Sequence, residues 1–276
     1  MSRKKPTSSK SLWDVVPKSG RENFAKNLGS GIDGPAEFVQ AGLTSVVGVQ
    51  RPLVQAYLRL LSRRHPDADP VVLALYVERD YLRAVTGTGA AGGAAAVIPG
   101  VGTGAALALS AGVAVTFLEA TALYAQAIAE LHGIAVTDED QAKALVMSVM
   151  LGPEAAGLLA GVGDGVAAGR KGRGTWGAAF GTATGKGGSW RTVVQSLQGR
   201  FLRHFAASQS IGLVGRAVPF GIGSAIGGLT NRALGKKVIA STLSAFAGLP
   251  AVSREELRRV EDVEEDAPVL IPDSVS

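Results

Sequence analysis

Apolar positions along the chain recur mostly at three- and four-residue spacing, the period of a helix with one buried face. Pro35, after Asp33 and Gly34, opens such a stretch with Phe38, Val39, Leu43, Val46 and Val47. Proline suits a first helical position because its missing N–H would have no partner there. Pro52 restarts or kinks the helix, which runs on through Tyr57, Leu60 and Leu61 to Arg63, Arg64, His65 and Pro66. Asp69 is placed to cap a further helix from Pro70, carrying Val72, Leu75, Tyr76, Arg79 and Leu82. Its VVLALYV run has the look of a buried strand, but Glu78, Arg79 and Asp80 continue a helical pattern. The spacing predicts an all-α protein.

Between Ala84 and Leu118 no residue is charged, and Pro99-Gly100 interrupts the run. The later part, VGTGAALALSAGVAVTFL (101–118), is 18 residues long, at the lower edge for a membrane-spanning helix. The earlier part, AVTGTGAAGGAAAVI, is too short for a span. Together they predict an apolar helical hairpin that enters a bilayer or forms the core of a bundle. Helix then continues from Glu119 to Leu131 and ends at Gly133 as its C-terminal cap. Thr137 with Asp140 predicts a capping-box start, and Pro153 opens another helix. A two-span arrangement, 101–118 outward and 144–169 returning, fits the acidic stretch between them, though Glu154 and Asp164 inside the second span oppose it.

Composition sharpens this picture. Glycine supplies 37 of 276 residues, about twice the ordinary share of roughly 7%. Many glycines recur every fourth residue. Gly100, Gly104, Ala108, Gly112, Thr116 and Ala120 make one small-residue row, and Gly157, Gly161, Gly165 and Gly169 a stricter one. Gly177, Gly181 and Gly185 form a third, and Gly215, Gly223, Gly227 and Gly235 keep the same phase near the carboxyl end. Residues four apart share a helix face, so these rows predict grooves in which a second backbone approaches closely. Each interior glycine costs about 0.8–1 kcal/mol relative to alanine in water, and close packing offsets that cost in a bilayer or in a tight water-soluble bundle. IPGVGTGAALA (98–108) and VPFGIGSAIGG (218–228) echo one another, as two related hairpins or as a coincidence of glycine-rich composition. The fold expected is a glycine-rich helical bundle with one or two apolar helical hairpins.

Charge falls in blocks. Residues 1–26 hold seven Lys/Arg against two acids, without the apolar run of a signal peptide, and 1–30 read as a basic flexible arm with a cytosolic start. Residues 119–169 hold one Lys and seven acids, and 170–203 hold seven Lys/Arg and no acid. The helical domain covers 31–250, and 251–276 form a short charged helix from Ser253 and Glu256 with an acidic, disordered tail. The clearest amphipathic helix is SWRTVVQSLQGRFLRHF (189–205), with Trp190, Val193, Val194, Leu197, Phe201 and Phe205 on one face. A basic helix with Trp and Phe lies in a membrane interface or packs on a bundle; Trp176 and Phe180 in the preceding basic loop favour the membrane. The lipid-contact residues expected are Arg173, Trp176, Lys186, Trp190, Arg191, Phe201 and Arg203. The helix-packing residues expected are Gly100, Gly104, Gly112, Gly157, Gly161, Gly165, Gly223 and Gly227.

Little points to catalysis. The chain has no cysteine and three histidines, which excludes thiolate chemistry and disfavours a multi-histidine metal site. GTGAAG (Gly87, Gly89, Gly92) matches the dinucleotide fingerprint literally, but no strand precedes it and no acid follows about 20 residues on. GTATGKGG (181–188) lacks one spacer of a phosphate loop, and Gly187 stands where Ser/Thr would hold Mg²⁺. Ser2 and Lys5 share an SxxK spacing only within the flexible arm. Glu119, Glu154 and Asp164 are the acids nearest apolar helices and read as helix-end or water-facing groups. No catalytic residue, cofactor or metal ligand is expected.

The segment GTGAAGGAAAVIPGVGTG, an apolar helix, and then LYAQAIAELHGIAVTDEDQAKAL resemble the core of the EcsC family. RAVPFGIGSAIGGLTNRALGKKVI, with Pro219, Gly223, Gly227, Gly228 and Asn231, is similar to that family's closing segment. The resemblance covers roughly residues 70–245 and departs at His132-Gly133, where an aromatic precedes the glycine in the family, and in the basic insert at 170–190. It implies a bacterial, mainly helical, membrane-associated protein with no settled activity, related to one encoded beside an ABC transporter. The function expected is therefore that of a non-enzymatic scaffold or accessory to a membrane complex such as a transporter. It would be held on the cytoplasmic face by anionic lipid, peripherally or shallowly inserted. The alternative is a membrane-proximal hydrolase; nucleic acid is the least favoured partner.

Overall fold

The structure, a computed structural model, describes residues 51–95, 103–159, 180, 190–214, 222–253, 255 and 256. Every regular element among them is a helix: α1 (Arg51–Arg64), α2 (Pro70–Ala95), α3 (Thr103–Leu131), α4 (Glu139–Leu151), α5 (Pro153–Leu159), α6 (Trp190–Val214) and α7 (Ile222–Phe246). The all-α class read from the spacing is the class observed.

Helix α3 is the axis. Every residue from Ala114 to Leu131 is buried, as befits a helix that is apolar nearly all round. Helices α1, α2, α4 and α7 pack on it, α6 leans on α4 and α5, and the most extensive pairing joins α2 to α7. The core they enclose includes Leu58, Leu73, Tyr81, Leu118, Leu123, Tyr124, Leu145 and Met147.

The helix boundaries follow local chemistry. The Val72 N–H donates to Asp69 Oδ1 at 2.8 Å, so Asp69 caps α2. At the end of α3, Gly133 turns the chain at φ +73°. The Ile134 N–H reaches back to the Ala129 carbonyl and the Gly133 N–H to that of Glu130, each at 2.9 Å, a bonding pattern that satisfies otherwise orphaned carbonyls. The cap of α4 lies one residue later than Thr137. Asp138 has extended backbone, its carboxylate accepts from the Asp140 and Gln141 N–H groups, and the Gln141 side chain returns a bond to the Asp138 N–H. Gln141 has the acceptor needed for that reciprocal bond and is one residue beyond the Asp140 expected in the role.

One other expectation is extended and one changes. Helix α2 absorbs the first half of the uncharged stretch as far as Ala95, and α3 runs unbroken from Thr103 to Leu131. The apolar pieces are thus parts of two longer helices that pack together. The return segment 144–169 is not one helix, because Gly152 at φ +63° ends α4 and Pro153 begins α5. One stretch among the described residues, Gly112–Leu131, is long and apolar enough to cross a membrane, and 83% of its apolar window is buried inside the protein.

Beyond α7 the chain turns at Gly248, φ +78°, and comes back to the end of α3. There the Val252 N–H donates to the Leu131 carbonyl at 2.9 Å. His132 Nδ1 meets the Pro250 carbonyl at 3.1 Å; a carbonyl only accepts, so this nitrogen carries the proton. The His132 ring also stacks on Phe246, 5.3 Å between centroids.

Candidate functional site

Polar groups inside the bundle act as braces. Tyr81 of α2 and Tyr124 of α3 stack with centroids 4.6 Å apart. Tyr81 and Thr121 share a 3.0 Å hydrogen bond, and the Thr121 hydroxyl donates to the Phe117 carbonyl. That leaves Tyr81 as the donor to Thr121. Burial raises the pKa of both tyrosines; for Tyr124 the nearby Glu78 carboxylate adds to the effect. Both phenols therefore stay protonated at ordinary pH. The Tyr124 hydroxyl makes no well-formed hydrogen bond. Thr242 of α7 interacts with it, but that hydroxyl already donates to the Val238 carbonyl at 2.8 Å. Burial also raises the Glu78 carboxyl above its ordinary value.

A second brace pins α1 to the end of α3. Arg51 Nε and Nη2 grip the two oxygens of Glu130 at 3.1 and 2.7 Å, and Gln55 Nε2 adds a third bond at 3.3 Å. The bidentate pair offsets the cost of a carboxylate that is 8% exposed. Glu119, only 2% exposed, lies inside α3's sheath rather than at a helix end or on a water-facing side as expected. No group of three or more His, Asp or Glu side chains suited to a metal ion occurs among the described residues.

The α2–α7 contact is made by glycines. A Cβ added at Gly89 would run into the Gly227 carbonyl oxygen, and one at Gly227 into the Gly89 carbonyl oxygen. Gly228 lies over the Thr86 carbonyl and Ala90, while Gly235 accepts Val85, Leu82 and Tyr81. Residue numbers rise on one helix as they fall on the other, so the pair is antiparallel. Gly92 meets Val113 of α3. At Gly112 and Gly87 an added Cβ would meet nothing within 4 Å. Two glycine-rich stretches far apart in the chain, one in α2 and one in α7, thus contribute the two sides of one crossing.

Of the packing residues read from the sequence, Gly227 makes this contact and Gly112 faces open space. Gly104 falls in α3, Gly157 in α5 and Gly223 in α7; Gly100, Gly161 and Gly165 lie outside the described residues. The row rule selects glycines by phase and misses Gly89, which sits in a fingerprint-like GTGAAG segment.

The expected lipid-contact residues separate. Arg173, Trp176 and Lys186 lie outside the described residues. Arg191 and Arg203 are exposed. Phe201, however, is 1% exposed, and Val193 and Leu197 are buried with it. Trp190 is half-buried and stacks on Phe180 at 4.7 Å, and the Phe180 carbonyl accepts from buried Gln141 Nε2 at 2.8 Å. The apolar face of α6 is turned into the protein, because α4 and α5 offer it a complementary surface.

The large hydrophobic side chains that do stand out among the described residues are Val71, Val72, Leu75, Leu229 and Leu243, all on α2 or α7. The sequence pattern places Val72 and Leu75 on the helix from Pro70 but marks none of the five as exposed. The signal was present in α7, where Leu229, Arg232, Lys236 and Leu243 share a face on a helix without an acid.

No family model, curated protein or solved structure matches the chain.

Proposed function

We propose that the protein is a non-enzymatic helical scaffold or accessory protein, held peripherally to the cytoplasmic face of a membrane by attraction to anionic lipid. The observation that carries this reading is the charge of the last two long helices. Helix α6 supplies Arg191, Arg200 and Arg203, α7 supplies Arg232, Lys236 and Lys237, and neither contains an acidic residue. An anionic leaflet attracts each such residue near its surface by about 1 kcal/mol, so even part of this set supports reversible binding.

Peripheral attachment is favoured over a span by the surroundings of α3. Its apolar window lies against other helices, and Glu119 and Glu130 are enclosed with it. Moving that helix into lipid would strip away its packing and the Arg51 pair together. The EcsC resemblance points toward membrane association as well, and toward a membrane complex such as a transporter as the partner.

The test is fractionation of nuclease-treated lysate by flotation, followed by washing of the membrane fraction in high salt and then alkaline carbonate. The protein is expected to float with membranes at low salt and to be released by the two washes. Resistance to both washes would overturn the peripheral reading in favour of insertion. A protein that never floats would sink the membrane reading.

A further inference from the structure

With the apolar face of α6 turned inward, the outward apolar surface lies on the two helices joined at the Gly89–Gly227 crossing. Leu229 is 66% exposed, Val71 62%, Leu75 60% and Leu243 54%. On α7, Leu229, Arg232, Lys236 and Leu243 are separated by three, four and seven residues, which keeps them on one face. Ala233 and Ala240 lie among them, Lys237 flanks them, and all are exposed apart from the polar-to-core edge at Asn231 and Leu234. None of the ion pairs among the described residues involves Arg232, Lys236 or Lys237.

Helix α2 repeats the combination. Val71, Leu75, Arg79 and Arg83 follow one another at four-residue steps. Arg79 and Arg83 are 45% and 67% exposed, and both look to one carboxylate, Asp80, at 3.6 Å. Asp80 is also shared with the Tyr57 hydroxyl. Gly228 rests against Thr86 and Ala90, which share a face of α2 with Val72 and Arg79, and Arg232 follows Gly228 by one turn. The basic stripes of the two helices thus border the same seam, and the antiparallel register brings Leu75 and Leu243 to the same end of it.

We propose that this outer face of the α2–α7 pair is the surface that docks on an anionic phospholipid bilayer, its cations meeting phosphate and its aliphatic side chains entering the headgroup boundary. The inference rests on the membrane reading above and moves its contact away from α6. Exposed aliphatic residues interleaved with cations fit a lipid interface, whose outer layer is anionic and whose next layer is apolar. A nucleic acid would match the cations but leave Leu229, Leu243, Val71 and Leu75 without an apolar partner.

The chain contains no cysteine, so single cysteines can carry an environment-sensitive dye without background. Leu229→Cys and Leu243→Cys, with Gln195→Cys on the exposed side of α6 as reference, are labelled in the full chain. They are mixed with phosphatidylcholine vesicles with or without phosphatidylglycerol. Dye at 229 and 243 is expected to shift to the blue and brighten severalfold with anionic vesicles only, while dye at 195 stays unchanged. Reversal of Arg232, Lys236 and Lys237 to Glu is expected to weaken vesicle partitioning at least about tenfold, with helical circular dichroism unchanged.

If the unlabelled protein binds anionic vesicles but dye at 195 alone responds, or the triple reversal binds as well as wild type, this surface is wrong and the membrane reading survives. If the unlabelled protein binds no vesicle, both fall. Brightening without lipid that grows with protein concentration would overturn the inference in favour of self-association. Binding of duplex DNA, but not vesicles, through the same cations would overturn it in favour of nucleic acid. Should the triple reversal not fold, the dye positions decide alone.

Discussion

Gly89 and Gly87 lie two residues apart on α2 yet face opposite circumstances. The first has the Gly227 carbonyl where a Cβ would go, and the second has open space. Gly89→Ala is therefore expected to push α2 from α7 and lower stability by about 1–3 kcal/mol. Gly87→Ala is expected to raise it by up to about 1 kcal/mol through helix propensity. Urea denaturation of the two variants measures both, and equal effects would contradict the crossing. Four-residue spacing made the presence of glycine contacts legible in the sequence. It could not tell Gly227 from Gly112, because which face of a helix meets another depends on elements distant in the chain. Glu78 gives a second prediction at this scale. Burial raises its carboxyl, so its contribution to stability is complete below the ordinary carboxylate pKa and lost as pH rises through the raised one. Glu78→Gln is expected to melt higher than wild type at neutral pH, the gap closing toward about pH 4. A wild type that melts higher at neutral pH would refute it.

At the scale of elements, helix existence was largely readable and helix surroundings were not. Asp69, Gly133 and Pro153 mark boundaries by local chemistry, and the observed ends of α2, α3 and α5 follow them. Helix α6 shows the limit. Its periodicity correctly separates Val193, Leu197 and Phe201 from Arg191 and Arg203, but an amphipathic face has the same pattern whether protein or lipid covers it. In the structure α4 and α5 cover it. Phe201→Ala is accordingly expected to cost about 3–5 kcal/mol in the lipid-free protein. Thermal unfolding without vesicles measures this; an unchanged melting temperature would mean the ring is not packed in protein. The exposed stripe of α7 was missed for the converse reason. Leu229 and Leu243 look like ordinary core positions until the glycines at 227, 228 and 235 show which way the helix turns.

At the scale of the whole molecule, apolar length alone misleads about α3. The same residues that suit a bilayer suit the axis of a bundle, and the four helices packed on α3 decide between them through packing that no single window contains. The Arg51–Glu130 pair and the return of Val252 to Leu131 tie the two flanks of the described chain to one end of that axis.

The Gly89–Gly227 crossing joins segments half the chain apart, and this sets an order in time. On a ribosome α2 and α3 emerge before α7, and they wait with their glycine-lined and apolar faces uncovered until α7 has been made. Contacts this distant in sequence are slow to close and expose the waiting surface to misassociation. The nascent chain thus carries this interface unfinished for the whole stretch between α2 and α7, and a chaperone able to cover α2 for that interval would shield the surface most exposed to misassociation.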